Sequence, residues 1–178
     1  MKNLVKTIHN LPWMPQPGVA RLIITDEIPP LDRCASVYGF VFTDEKILMT
    51  RSRFRDWDIP GGMIDPGETP EEAAVRTIWE ETYTKVKIIE PIGIQEFELL
   101  RPKPKGYQWP YPLSVQVYYL CEIMELCEIN RYKVSFERRF FSPKEARMVY
   151  TMKNHDLIYE EGLRRILSCV YTRTANSK

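Results

Sequence analysis

The sequence predicts a mixed α/β domain, and three observations carry the prediction. Short β-prone runs and punctuated helical segments follow one another along most of the chain. A hairpin pattern precedes a helix with a complete start signal. No internal repeat or low-complexity tract interrupts this order, and 178 residues suit one domain with an extra segment.

Taken in order, Pro12, Pro15 and Pro17 break up the first stretch, so 1–19 is expected to be an irregular arm. Residues 20–24 form the first strand; the domain is expected to span 20–170, leaving a tail at 171–178. Ser-Val-Tyr-Gly-Phe-Val-Phe at 36–42 is an apolar strand, and Thr43, Asp44 and Glu45 turn the chain into its hairpin partner at 46–50. Pro60, Gly61 and Gly62 then predict a loop. Thr69 is a good N-cap, Pro70 fits the first helical position, and Glu72 completes a capping box. Residues 85–92 and 93–100 read as two strands, 101–112 as a proline-rich connection, and 113–123 as a strand with one buried face. A short strand at 139–141 leads to a helix capped by Ser142 with Pro143 behind it. The last helix covers about 155–169, with Gly162 weakening its middle.

Composition excludes several classes. The 25 Lys and Arg against 24 Asp and Glu leave a net charge of +1, unlike a dedicated nucleic-acid binder or a charged disordered tail. RNA is therefore not an expected partner. No apolar run reaches the roughly 20 residues of a membrane helix, and the first residues lack the pattern of a signal peptide. Cys34, Cys121, Cys127 and Cys169 form no C-x-x-C pair, and His9 and His155 are the only histidines, so zinc spacing is absent. Buried thiols and a cytoplasmic location are the expectation.

The chemistry concentrates in 62–84. On a helical wheel Ala74, Val75, Ile78, Trp79 and Thr82 share one arc, while Arg76, Thr77, Glu80 and Glu81 share the other. Arg76 and Glu80 are one turn apart and can pair. Glu68 lies just before the helix. Hard divalent cations take oxygen ligands, usually few protein carboxylates with substrate phosphates and water. Adjacent carboxylates opposite a glycine loop match that need, although a pair of glutamates on a helix is more commonly just a solvated face.

The segment resembles the Nudix box, G-x5-E-x7-R-E-U-x-E-E-x-G-U, where U is apolar. Gly62, Glu68, Arg76, Ile78, Glu80 and Glu81 match in register. Trp57 to Gly62 and Gly67-Glu68-Thr69 resemble the usual flanks of that box. The resemblance implies a Nudix-type α/β/α sandwich with a mixed central sheet over most of 20–168. It also implies a hydrolase that needs Mg²⁺ or Mn²⁺ and cleaves a diphosphate linked to a nucleoside or similar group. In that reading Glu80, Glu81, Glu68 and the Gly62 backbone bind metal, Arg76 orients the carboxylates, and Gly61 and Gly62 admit the phosphates. Three positions depart from the pattern: Thr77, Tyr83 and Thr84 stand where the family has Glu, Gly and an apolar residue. Thr77 removes a carboxylate, so a catalytic base must come from elsewhere. Glu137 is the favoured candidate downstream, with Glu98 and Glu128 behind it, while Glu81 is expected to serve catalysis as a metal ligand.

Substrate signals are thinner. Arg51, Arg53 and Arg55 alternate before the box and would point one way in an extended segment, where guanidinium groups suit phosphate oxygens. Arg101, Lys103 and Lys105 precede Tyr107, Trp109 and Tyr111, a mixture able to hold phosphate and stack a base, or simply to pack as a stiff loop. The expected partner is a nucleotide-like small molecule, with no membrane and with room for a homodimer. The rival is a catalytically weak nucleotide-binding module built on the same fold.

Overall fold

A computed structural model describes residues 2–129, 136–149 and 151–175, with side chains described as far as Ser168. Nine strands and three helices are assigned among these residues: β1 (Asn3–His9), β2 (Gly18–Ile24), β3 (Cys34–Thr43), β4 (Lys46–Ser52), β5 (Arg55–Asp58), β6 (Gly61–Met63), α1 (Pro70–Thr82), β7 (Thr84–Leu99), β8 (Leu113–Leu126), β9 (Phe136–Phe141), α2 (Pro143–Met148) and α3 (Asp156–Ala175).

The strands form one mixed sheet in the order β1-β2-β7-β8-β3-β4-β5, with β6 on β3 and β9 on β4. Strands β3 and β8 run parallel and the other pairs antiparallel. Alternation along β3 decides what each face buries. Val37 and Val41 join Leu48, Ala74, Ile78 and Tyr119 under α1. Phe40 and Phe42 join Ile47, Met49, Ile158, Tyr159 and Leu163 under α2 and α3. The result is the expected sandwich of helix, sheet and helix. Gly162 is buried where an added Cβ would meet Ile92 and a Phe42 ring carbon at 3.3 Å, so its small size lets α3 approach the sheet.

Helix α1 starts as expected: the Thr69 hydroxyl accepts from the Glu72 amide, and the Glu72 carboxylate accepts from the Thr69 amide. Its far end has no basic residue in the last turn. Arg138 of β9 supplies the missing cation, donating to the carbonyls of Thr82 at 2.5 Å and Tyr83 at 3.0 Å. Tyr83 ends the helix in the left-handed conformation, φ 51°, where the box pattern has glycine.

Several elements depart from the sequence expectations. Residues 3–9 are a strand paired with β2, not irregular chain, and the prolines fall in the connecting loop. Gly61 and Gly62 belong to β6, pairing with Tyr38 and Val37, rather than to a loop. The two expected strands at 85–92 and 93–100 are one strand, β7, whose irregularities against β8 include one between Pro91 and Gly93. Strand β9 begins at Phe136, not 139, and α3 runs on to Ala175 through most of the expected tail. Cys34, Cys121 and Cys127 are free thiols; the Cys169 side chain and 176–178 lie outside the described residues.

Candidate active site

The site forms where α1 crosses the β3–β6 pair. The close approach explains both glycines. A Cβ on Gly61 would lie 2.3 Å from the Val37 carbonyl oxygen, and one on Gly62 would lie 2.9 Å from the Thr77 methyl. Gly61 allows the close approach of β6 to β3, and Gly62 that of β6 to α1, before any ligand arrives. Thr77 is thus buried, contrary to its expected place on the polar arc, and its hydroxyl donates to the Ala74 carbonyl. Val75 is exposed and Trp79 half-buried, contrary to their expected place in the core; Trp79 lies against the Tyr83 ring at 5.1 Å. The buried stripe is Ala73, Ala74, Thr77, Ile78 and Thr82. It is rotated from the one drawn on the wheel because β6 presses on the helix from the side of Thr77.

That rotation separates the two adjacent acids. Glu81 turns inward, its side chain 13% exposed, and accepts from Arg55 at 2.8 and 2.7 Å and from the Gly61 amide at 3.2 Å. Burial raises its carboxyl above the ordinary value, with the Arg55 charge and hydrogen bonds opposing. Glu80 turns outward to Arg76 at 3.3 Å. Arg76 also clamps both oxygens of Glu68, at 2.6 and 2.7 Å, and donates to the Met63 carbonyl at 3.0 Å. The Glu68 carboxyl is thereby held down to about 2, chiefly by the Arg76 hydrogen bonds and then by the Asp65 amide. One guanidinium therefore gathers Glu68 and Glu80 beside β6, while a second holds Glu81 (sequence reasoning gave Arg55 a role with substrate, not with this acid).

Arg51, Arg53 and Arg55 do not share one extended face, because the chain turns at 53 and 54 and Ser52 pairs with Arg55 across the β4–β5 hairpin, yet all three line one cleft with Glu137 and Arg138. Arg51 lies over Trp57 at 4.9 Å and pairs with Glu137 at 2.8 Å. Glu137 sits on β9, 64% exposed, on the Arg51 guanidinium. Glu98 pairs with Arg21 at 2.7 Å, and Glu128 is exposed.

Beside Gly61 and Gly62 opens a cavity of about 400 Å³ whose walls include Arg55, Tyr38, Trp13, Phe97, Tyr107 and Trp109. Trp13 comes from the β1–β2 loop and meets Phe97 edge-on at 5.0 Å. Its contribution escaped sequence reasoning, since nothing local marks a loop residue that reaches across to β7. Tyr107 and Trp109, 5.3 Å apart, come from the proline-rich connection. The two rings line the cavity, whereas Arg101 donates to the Gln16 carbonyl at 3.0 Å.

As to a divalent ion, no group of three or more His, Cys, Asp or Glu side chains suited to a metal gathers among the described residues. Glu68 and Glu80 share the Arg76 guanidinium while Glu81 stands apart on Arg55, so a divalent ion here would take one or two of these carboxylates and complete its shell with phosphate and water.

The NUDIX domain family model matches residues 32–161. The chain is 30% identical over 124 residues to human diphosphoinositol polyphosphate phosphohydrolase 3-alpha, covering 69% of each chain. It is 46% identical over 57 residues to a putative 8-oxo-dGTP diphosphatase of Bacillus subtilis, covering 32% of this chain and 36% of the relative. The fold is similar to that of the Bacillus subtilis pyrophosphohydrolase BsRppH, with a TM-score of 0.61 and 24% identity over 84% of this chain and 92% of the other. With the box residues assembled at the junction of α1 and β6, the chain belongs to the Nudix hydrolases, enzymes that cleave phosphoric anhydride bonds.

Proposed function

We propose that this chain hydrolyses a diphosphate linked to a nucleoside in the presence of Mg²⁺ or Mn²⁺. The observation that carries the reading is the seat of Glu81, half-buried and held by Arg55 and the Gly61 amide. Both partners line an aromatic-walled cavity that can take a ring. Among the described residues Arg55 is the one Lys or Arg in its walls, and it also lines a neighbouring cleft of about 920 Å³ with Arg51, Arg53 and Arg138.

In this reading the ring enters between aromatic walls and the diphosphate lies along β6. Water attacks phosphorus: a new P–O bond forms, the bridging P–O bond breaks, and the bridging oxygen leaves on its phosphate. Glu81, beside Gly61, is taken as the group that receives the water's proton, with Glu137, paired to Arg51 on β9, as the alternative. Arg55, released from Glu81, meets the phosphate oxygens. Arg76 keeps Glu68 and Glu80 in register along the loop and helix. A bound divalent ion, held by one or two of Glu68, Glu80 and Glu81 and by the Gly62 backbone, would supply charge neutralisation of the phosphates.

The test is a screen of purified protein with Mg²⁺ or Mn²⁺ against nucleoside triphosphates, sugar nucleotides, dinucleoside polyphosphates and dinucleotides. Turnover of one class, lost in Glu81→Gln, is expected. Silence from folded protein overturns the reading. Thr77 favours a second reading, a nucleotide-binding module, because its burial leaves no carboxylate at that position of the helix. Folded protein that binds the same compounds without cleaving them decides for it.

A further inference from the structure

Glu81 sits in the last turn of α1, and a helix holds its residues least firmly at its ends. The final carbonyls there have no amide of the same helix to accept from. Nothing local makes up for this in α1. Its last turn has no basic residue, and a tyrosine, Tyr83, fills the left-handed position that glycine adopts freely. The sheet meets these carbonyls instead.

Thr50 of β4 donates its hydroxyl to the Glu81 carbonyl at 3.1 Å. Arg138 of β9 donates to the Thr82 and Tyr83 carbonyls and, through its other terminal nitrogen, to the Cys127 carbonyl at 2.6 Å. Thr50 and Arg138 stand opposite each other in the β4–β9 register. One cross-strand pair therefore receives three successive carbonyls, 81 to 83. Among the described residues, the bonds assigned to the Arg138 guanidinium all go to main-chain carbonyls and none to a carboxylate. A cation placed in this way complements the helix dipole, and its planar fork fixes several points at once.

The next strand holds the same acid by its other end. Thr50 also pairs with Asp58 of β5, and β5 supplies Arg55, which takes both Glu81 carboxylate oxygens. Glu81 is thus tied at its backbone from β4 and at its side chain from β5. A small rotation of the helix end would carry the carboxylate off the Gly61 amide, now 3.2 Å away. Thr50 itself is fully buried and lines neither the aromatic cavity nor the arginine-lined cleft. Whatever it does for a reaction, it does through Glu81.

We infer that Thr50 is a positioning residue for the hydrolysis, with Arg138 as its partner: together they set the last turn of α1 so that the Glu81 carboxylate meets Arg55 and the Gly61 amide. The effect on turnover rests on the hydrolase reading, whereas the placement of the carboxylate does not. A threonine that only stabilised the chain would leave the Glu81 seat unchanged when its hydroxyl is removed.

The test compares wild type, Thr50→Val, which keeps the shape of the side chain without its hydroxyl, and Thr50→Ser, which restores one. Two readouts are taken on the full chain. The first is the Gly61 amide signal in a ¹H–¹⁵N NMR spectrum. Gly61 lies on β6 against β3, and the hydrogen bonds that link it to Thr50 pass through Glu81. In Thr50→Val its signal is expected to move towards its position in Glu81→Ala, where the bond is absent, and in Thr50→Ser to return. The second is turnover of an anhydride substrate: kcat is expected to fall about tenfold with KM within about twofold, and Thr50→Ser to recover most of the loss. Arg138→Lys keeps the charge and loses the fork, so it is expected to move the Gly61 signal the same way and serves where Thr50→Val does not fold. A Gly61 signal unmoved in the folded variant overturns the inference. An unchanged kcat, or a loss confined to KM, also overturns it and leaves the hydrolase reading standing. A Gly61 signal that moves in a chain that cleaves nothing supports the placement and removes the hydrolase reading instead.

Discussion

Arg55 holds both carboxylate oxygens of Glu81, at 2.8 and 2.7 Å, across the gap between the β5 strand and the α1 helix. Without the guanidinium, a half-buried acid would face the Gly61 amide alone. Arg55→Ala is therefore expected to cost about 1–2 kcal/mol near neutral pH, below the loss for a fully buried pair because the arginine is partly exposed. The sign with pH follows from burial: the Glu81 carboxyl is raised, and removing Arg55 raises it further. Protonation then relieves the unpaired charge, so the cost shrinks as pH falls through the carboxylate range and is full above it. Urea denaturation of both proteins at about pH 5 and about pH 8 checks this.

Glu68 behaves oppositely. Its carboxyl is held down to about 2 by Arg76, so the clamp contributes stability above the ordinary carboxylate range and loses it as pH falls towards 2. Wild type and Glu68→Gln are expected to differ in Tm at neutral pH and to converge in acid. A constant difference across that window would show that the clamp is not electrostatic.

Gly61 and Gly62 should respond unequally to alanine. At Gly61 the new methyl group meets backbone, at 2.3 Å from the Val37 oxygen, and nothing there can step aside. At Gly62 it meets the end of the Thr77 side chain at 2.9 Å. Gly61→Ala is expected to cost about 3 kcal/mol or more, and Gly62→Ala about 1 kcal/mol. Adding Thr77→Ser, which removes the opposing methyl, should recover part of the second loss but none of the first. A double-mutant cycle by chemical denaturation reads the coupling.

In the proposed reaction Glu81 and Glu137 are the two candidates for the water's proton. Glu81→Gln is expected to lower kcat by about 100-fold or more, and Glu137→Gln by at most about tenfold, because the latter lies at the rim in an ion pair. The reverse ranking would move the base to β9.

Periodicity and punctuation were enough to locate the hairpin 36–50, the capped start of α1 and the box residues, because each depends on neighbours a few positions away. Thr69, Pro70 and Glu72 carry their own instruction in that sense. Strand β1 was not legible, since its prolines lie in the loop beyond it and its pairing partner supplies its hydrogen bonds. Nor was the rotation of α1 that buries Thr77 and parts Glu80 from Glu81, because a helical wheel contains no neighbours and β6 sets which stripe is covered. Local order is a property of adjacent residues, whereas the cavity needs Trp13, Tyr38, Phe97 and Trp109 from four separate segments. Loop closure and close packing of the whole chain bring those together, and no short-range pattern encodes the meeting.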